Sequence, residues 1–175
     1  PDLAVVLEPT YSTFPGYLLI LEGDGDGTFR RHTPISTQGA PADINVVDWN
    51  GDGYADVVAR VSNDNNSDAV EIFLRQADGG LTPAARHNTG IDIRYLTFGD
   101  FNGDDRIDLA ACDTENTTVF LNQPDSTLLT RGPFAGGGGE MVCEDFNADG
   151  AVDVVIADYD DDIVLLGDGT GRLGV

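Results

Sequence analysis

The sequence predicts an all-β chain, a β-propeller or a segment of one, with about 3.5–4 four-stranded blades and metal-binding hairpin loops. Three observations carry this expectation. A nine-residue acidic pattern recurs at residues 48–56, 100–108 and 145–153. A short apolar run precedes each copy ("INVV", "YLTF", "EMVC") and another follows it ("DVVAR", "DLAAC", "DVVIA"). No stretch has helical periodicity, and the 22 glycines suit a chain of short strands and many turns.

The elements follow in order. The opening "PDLAVV" matches the runs after each acidic pattern, so Asp2 reads as the last residue of a fourth copy. Asp2, Asp56, Asp108 and Asp153 are then 54, 52 and 45 residues apart. Between copies stands a second landmark: "LLILEGDGDGTF", "EIFLRQADGGL", "TVFLNQPDSTL" and "IVLLGDGTGRL". Each is a strand, a Gly/Asp/Asn turn and a large apolar residue: Phe29, Leu81, Leu128 and Leu173. One unit is therefore strand, acidic turn, strand, variable loop, strand, Gly-rich turn and strand. The expected units of this single repeat domain are residues 1–43 (partial), 44–95, 96–140 and 141–175 (partial). The variable loops, "LEPTYSTFPG", "VSNDNNSD", "DTENT" and "DYDDD", differ most, which is where repeat folds diverge in function.

Composition narrows the partners. The 175 residues fit one domain, and 41% hydrophobic content is enough for a core. With 31 Asp and Glu against 9 Lys and Arg, the net charge of -22 repels nucleic-acid phosphate and anionic lipid and attracts cations. No apolar run approaches the ~18 residues of a membrane span. The chain begins at Pro1, which suggests a mature, trimmed or partial product. Cys112 and Cys143 are either buried free thiols or a bridge between neighbouring strands, and are too few for a disulfide scaffold or a zinc site.

In the acidic pattern, positions one, three, five and nine are Asp, Asn, Asp and Asp in all three copies. Carboxylates this close repel unless a cation joins them. Ca²⁺ takes six to eight oxygen ligands, including carboxylates, amide carbonyls and backbone carbonyls. Alternate positions on a curled loop can turn inward together. Position seven would give only its backbone carbonyl, and Tyr54, Arg106 and Ala151 show no side-chain rule there. Solvated Asx turns would also make hairpins, but they do not require the same four oxygen side chains three times. Helix-flanked EF-hand loops need Glu at position twelve, where this chain has Ala59, Ala111 and Ile156.

The stretches "VVDWNGDGYADVV", "TFGDFNGDDRIDLA" and "VCEDFNADGAVDVV", with the "GDGDGTF" and "GDGTGRL" turns, resemble the FG-GAP/VCBS repeats of integrin α-type propellers and many bacterial surface proteins. The resemblance covers nearly the whole chain. It implies about three Ca²⁺ sites: Asp48, Asn50, Asp52, Tyr54 and Asp56; Asp100, Asn102, Asp104, Arg106 and Asp108; Asp145, Asn147, Asp149, Ala151 and Asp153. It also implies that Trp49, Phe101 and Phe146 pack between blades.

The expected function is an extracellular or cell-surface calcium-binding module that recognises a glycan or protein and is not an enzyme. A self-assembling structural protein is the first alternative, and the non-catalytic propeller of a polysaccharide-active enzyme the second. His32 and His87 form no nucleophile–base arrangement. "GDGDG" with Asp24 and Asp26 reads as a turn, "DYDDD" as a solvated loop and "AGGGGE" as a flexible connection. Asn65 and Asn116 fit the glycosylation sequon.

Overall fold

Runs rich in Val, Ile, Leu and Phe, cut by Gly, Asp and Asn, favour short antiparallel strands joined by hairpins. The computed structural model describes residues 2–7, 16–62, 67–158 and 162–175. These residues form sixteen strands in four antiparallel sheets. The first holds β1 (Leu3–Leu7), β2 (Tyr17–Gly23), β3 (Phe29–Arg31) and β4 (Ile35–Ser36). The second holds β5 (Ala40–Val47), β6 (Asp56–Ser62), β7 (Asp68–Arg75) and β8 (Leu81–Asn88). The third holds β9 (Tyr95–Gly99), β10 (Asp108–Cys112), β11 (Asn116–Asn122) and β12 (Leu128–Ala135). The fourth holds β13 (Glu140–Glu144), β14 (Asp153–Ala157), β15 (Ile163–Gly167) and β16 (Leu173–Gly174).

Every sheet is a meander whose strand order follows the chain. These are the propeller-type blades the sequence predicts. In the first sheet β3 and β4 both pair with β2 and share one strand position. Asp2 precedes β1 as Asp56, Asp108 and Asp153 open β6, β10 and β14, so β1 takes the second-strand position. Strands open at Ala40, Tyr95 and Glu140, ahead of the expected unit starts at 44, 96 and 141. The largest offset is at β5, which pairs along β6 past a bulge between Pro41 and Asp43 as far as Ala40 opposite Ser62. The fourth unit, expected as partial, has all four strand positions, though β16 has only two residues.

The chain divides into two compact units, Pro1–Ile91 and Asp92–Val175. In the first, Leu18 and Ile20, with Ala4 and Val6, pack on Val57, Ala59, Val61, Ala69 and Phe73 of the second sheet. In the second, Phe101, Ala110, Cys112, Val119 and Leu121 pack on Met141, Val154, Ile156, Leu165 and Leu173 of the fourth sheet. The alternation of strand side chains sends one set to each face. Each fully buried Leu, Ile or Val contributes roughly 1.5–3 kcal/mol.

The glycine run at residues 136–139 is a close crossing rather than a flexible connection. A Cβ on Gly139 would lie 2.0 Å from the Ala157 carbonyl oxygen, and one on Gly137 would lie 2.6 Å from the Asp113 oxygen. Cys112, on β10, and Cys143, on β13, are free thiols. The Cys143 thiol lies 3.0 Å from the Phe98 carbonyl, to which it donates. Among the described residues no helix is long and apolar enough to cross a membrane.

Candidate metal site

Each acidic pattern forms the hairpin between the first and second strands of its sheet, between β5 and β6, β9 and β10, and β13 and β14. In the first turn, Asp48 accepts from the Asp52 N–H at 3.1 Å and the Gly53 N–H at 2.9 Å, one on each oxygen. Asn50 Oδ1 accepts from the Asp52 N–H at 3.0 Å, and Asp52 Oδ1 from the Tyr54 N–H at 2.8 Å. The third turn repeats this with Asp145, Asn147 and Asp149 at 2.8–3.1 Å. The second does so with Asp100, Asn102 and Asp104, and adds a 2.7 Å bond from the Gly103 N–H to Asp100. The side chains at positions one, three and five thus wind the loop around their own oxygens.

The ninth residue does different work. Asp56, Asp108 and Asp153 are fully buried. One oxygen of each accepts from the N–H after position one: Trp49 at 3.0 Å, Phe101 at 3.0 Å and Phe146 at 3.1 Å. The other accepts from the third strand of the sheet or its end: Arg75 at 2.8 Å, Asn122 at 2.7 Å and Gly167 at 2.8 Å. The carboxylate pins the acidic turn to the sheet. Burial pushes the Asp108 carboxyl up to about 6, with the Asp104 and Asp100 charges adding to it against the two N–H bonds. Burial raises Asp56 as well.

Asp2 repeats half of this arrangement. Its Oδ1 accepts from the Gly23 N–H at 3.0 Å, as its three counterparts do from their third strands. Its Oδ2 instead accepts from the Arg75 guanidinium at 2.7 Å. Arg75 therefore holds two of these carboxylates, Asp56 by its backbone and Asp2 by its side chain.

Positions four and six of the turn are left-handed in every copy. Gly51, Gly103 and Ala148 have φ of 74°, 72° and 61°, and Gly53, Asp105 and Gly150 have 87°, 64° and 91°. Ala148 and Asp105 carry the cost of a Cβ in that region. Arg106 differs from Tyr54 and Ala151. Its Nε donates to the Asn122 carbonyl at 2.9 Å, and its guanidinium pairs with Asp104.

Among the described residues, no group of three or more His, Cys, Asp and Glu side chains converges as a metal cage. The local reason is the hydrogen bonding above: the side chains take the loop's own N–H groups. The donor set still fits a hard cation. It is oxygen-only, and each carboxylate oxygen that accepts one N–H keeps a further lone pair. Asp48, Asn50 and Asp52, with the Tyr54 carbonyl and Asp56, would hold it in the first turn; the matching residues would do so in the other two.

A second repeated device lies at the turns between third and fourth strands. Asp26, Asp125 and Asp168 each accept both the N–H and the hydroxyl of the Thr two residues on, at 2.6 Å from the hydroxyl. The Thr hydroxyl bond is the main reason these three carboxyls sit below their ordinary range. The signal was present in the sequence as D-x-T after each strand, except for "DGG" at residues 78–80. Asp24 is engaged by Arg30 Nε at 2.9 Å. His32 Nε2 lies 3.1 Å from Glu22, and buried Glu71 pairs with Arg86 while accepting the Gln38 N–H at 2.9 Å. Trp49 and Phe101 are buried as expected, whereas Phe146 is exposed. Asn116 is half-buried at the start of β11. Asn65, most of "DYDDD" and much of the first two variable loops lie outside the described residues.

The FG-GAP-like repeat family model matches residues 1–59 and 48–111. A search of curated proteins returns no match. Solved structures similar to the chain include a lectin from Agrocybe aegerita, described as specifically recognising non-reducing terminal N-acetylglucosamine. The two share 14% identity at a TM-score of 0.47, over 98% of this chain and 64% of that one.

Proposed function

We propose, on the premise that this chain belongs to the FG-GAP-like repeat family, that it is an extracellular, non-enzymatic recognition module whose blades are braced by Ca²⁺. The observation that carries the reading is the threefold repetition of one oxygen-only turn with one hydrogen-bond pattern. When bound, Ca²⁺ would supply positive charge to neutralise the carboxylates of each turn. The chain's own residues do the rest: positions one, three and five shape the loop, and the ninth Asp anchors it to the sheet. In an extracellular setting, millimolar Ca²⁺ would suffice to fill loops of modest affinity.

On this reading the ligand, a glycan or a protein, is recognised by the variable loops, where the units differ most in sequence. Calorimetric titration with Ca²⁺ tests the first half; binding at about three sites is expected, and the absence of any saturable heat overturns it. A glycan array probed in Ca²⁺ and in EDTA tests the second. Calcium-dependent glycan binding assigns the glycan class, and a blank array counts against it.

A further inference from the structure

Glu71 is a buried carboxylate that lies outside the acidic turns. On β7 it alternates with Ala69 and Phe73, which pack in the core between the first and second sheets, and it is 3% exposed. Its two oxygens accept the Gln38 N–H at 2.9 and 3.2 Å. One of them also pairs with the guanidinium of Arg86, which the register of β8 places directly opposite. The matching position of the other sheets holds Leu19, Thr118 and Ile163, since these pair with Val5, Ala111 and Ile156 as Glu71 pairs with Ala59. A buried ion pair adds little net stability, because lost hydration offsets its attraction, and apolar residues of similar volume serve as well. Packing therefore does not account for a charged pair at this position of the second sheet.

The pair lines a cavity of about 210 Å³, whose wall also includes Gln38, Phe73, Pro83 and Ala85. The cavity sits at a β-bulge. Ala85 pairs with Ile72 and Pro83 with Phe73, so Ala84 is the extra residue of β8, and it is exposed. Bulges of this kind re-aim side chains and are frequent beside functional sites. The volume lies below the ~300–1,000 Å³ of pockets for drug-sized ligands, which limits the occupant to about one ring.

We infer that this cavity between the first and second sheets binds one neutral sugar ring, with Glu71 and Arg86 on neighbouring hydroxyls. The inference rests on the reading of the chain as a recognition module and gives it a site away from the variable loops. A carboxylate only accepts hydrogen bonds and a guanidinium only donates them. Side by side they offer an acceptor and a donor to two adjacent hydroxyl groups. Their charges cancel, so the pair selects neither a cation nor an anion, and the net charge of -22 repels an anionic ligand in addition. Phe73, Pro83 and Ala85 supply an apolar wall for the C–H face of the ring. None of the residues of the acidic turns lines the cavity, so Ca²⁺ has no direct part in this contact.

Saturation-transfer NMR on the whole chain tests the inference, with glucose, galactose, mannose and N-acetylglucosamine as neutral probes and N-acetylneuraminate as an anionic one. At least one neutral sugar should bind saturably, with the roughly millimolar Kd expected for a single ring, and the anion roughly tenfold or more weakly. Arg86→Lys keeps the charge but loses the planar fork, and should weaken binding roughly tenfold or more. Ala84→Trp leaves the ion pair in place and fills the cavity from an exposed position, and should abolish binding. Circular dichroism checks that both variants fold; should Arg86→Lys not fold, Ala84→Trp carries the test. No binding of any neutral sugar to the wild type overturns the inference, as does a preference for the anion. Sugar binding that survives in the folded variants also overturns it, but leaves the recognition reading standing with its site elsewhere. A blank glycan array together with no monosaccharide binding counts against the glycan reading as well.

Discussion

Asp108 carries a double burden, because the anchor that pins its turn is also a buried carboxyl. Its folded carboxyl, at about 6, lies above the ordinary 3.8. A raised acid favours the folded state when protonated: the contribution is full below about 3.8 and is lost as pH rises through about 6. In EDTA, urea unfolding should therefore show the wild type losing stability on the order of 2 kcal/mol between pH 4 and pH 7 through this residue. Asp108→Asn should flatten that slope; a slope unchanged in the variant would show that other groups cause it. Arg106 gives a second test at this scale. Its guanidinium already neutralises Asp104, so the second turn should bind Ca²⁺ more weakly than the first. Arg106→Ala should tighten one calorimetric site by about threefold to tenfold, and a weakened site would contradict the competition. Asp52→Ala should remove one site, while Asp24→Ala should leave all of them, since Asp24 is held by Arg30. Equal losses in the two would misplace the first site. The turns were readable from the sequence at this level because oxygen side chains repeat at fixed spacing. The strand partner of the ninth Asp was not, because that N–H donor stands 14 or 19 residues away along the chain.

The strands and hairpins were readable because apolar runs and turn residues alternate at short range. Burial on each face was harder, since it depends on which sheet lies opposite. Phe101 and Phe146 sit in the same local pattern, yet one is buried and the other exposed. The glycine run before β13 shows the opposite failure: composition suggested looseness, while the structure brings Gly139 against the Ala157 carbonyl. No side chain fits there, so Gly139→Ala must push β13 away from the end of β14. Chemical denaturation should register a loss of about 2–3 kcal/mol, the scale of overpacking and strain. A variant as stable as wild type would mean the crossing has slack.

At the scale of the whole molecule, Ca²⁺ should act as a stabilising ligand. With a Kd of about 10⁻⁴ M and about 1 mM Ca²⁺, each site adds roughly 1.4 kcal/mol, so three sites add about 4 kcal/mol. Thermal melts in Ca²⁺ and in EDTA should differ by several degrees, and coincident melts with no metal retained would remove calcium from the account. The meander of every sheet has a separate consequence, for how the chain reaches its fold. Among the described residues, each strand pairs within its sheet with its predecessor and successor, apart from the broken strand position of the first sheet. The loops to be closed within a sheet are therefore short, and loop closure is the entropic toll that slows most all-β proteins. Each sheet can zip from its own hairpins without waiting for a distant segment. Refolding should be quick for a β protein, with docking of the preformed sheets as the slow event.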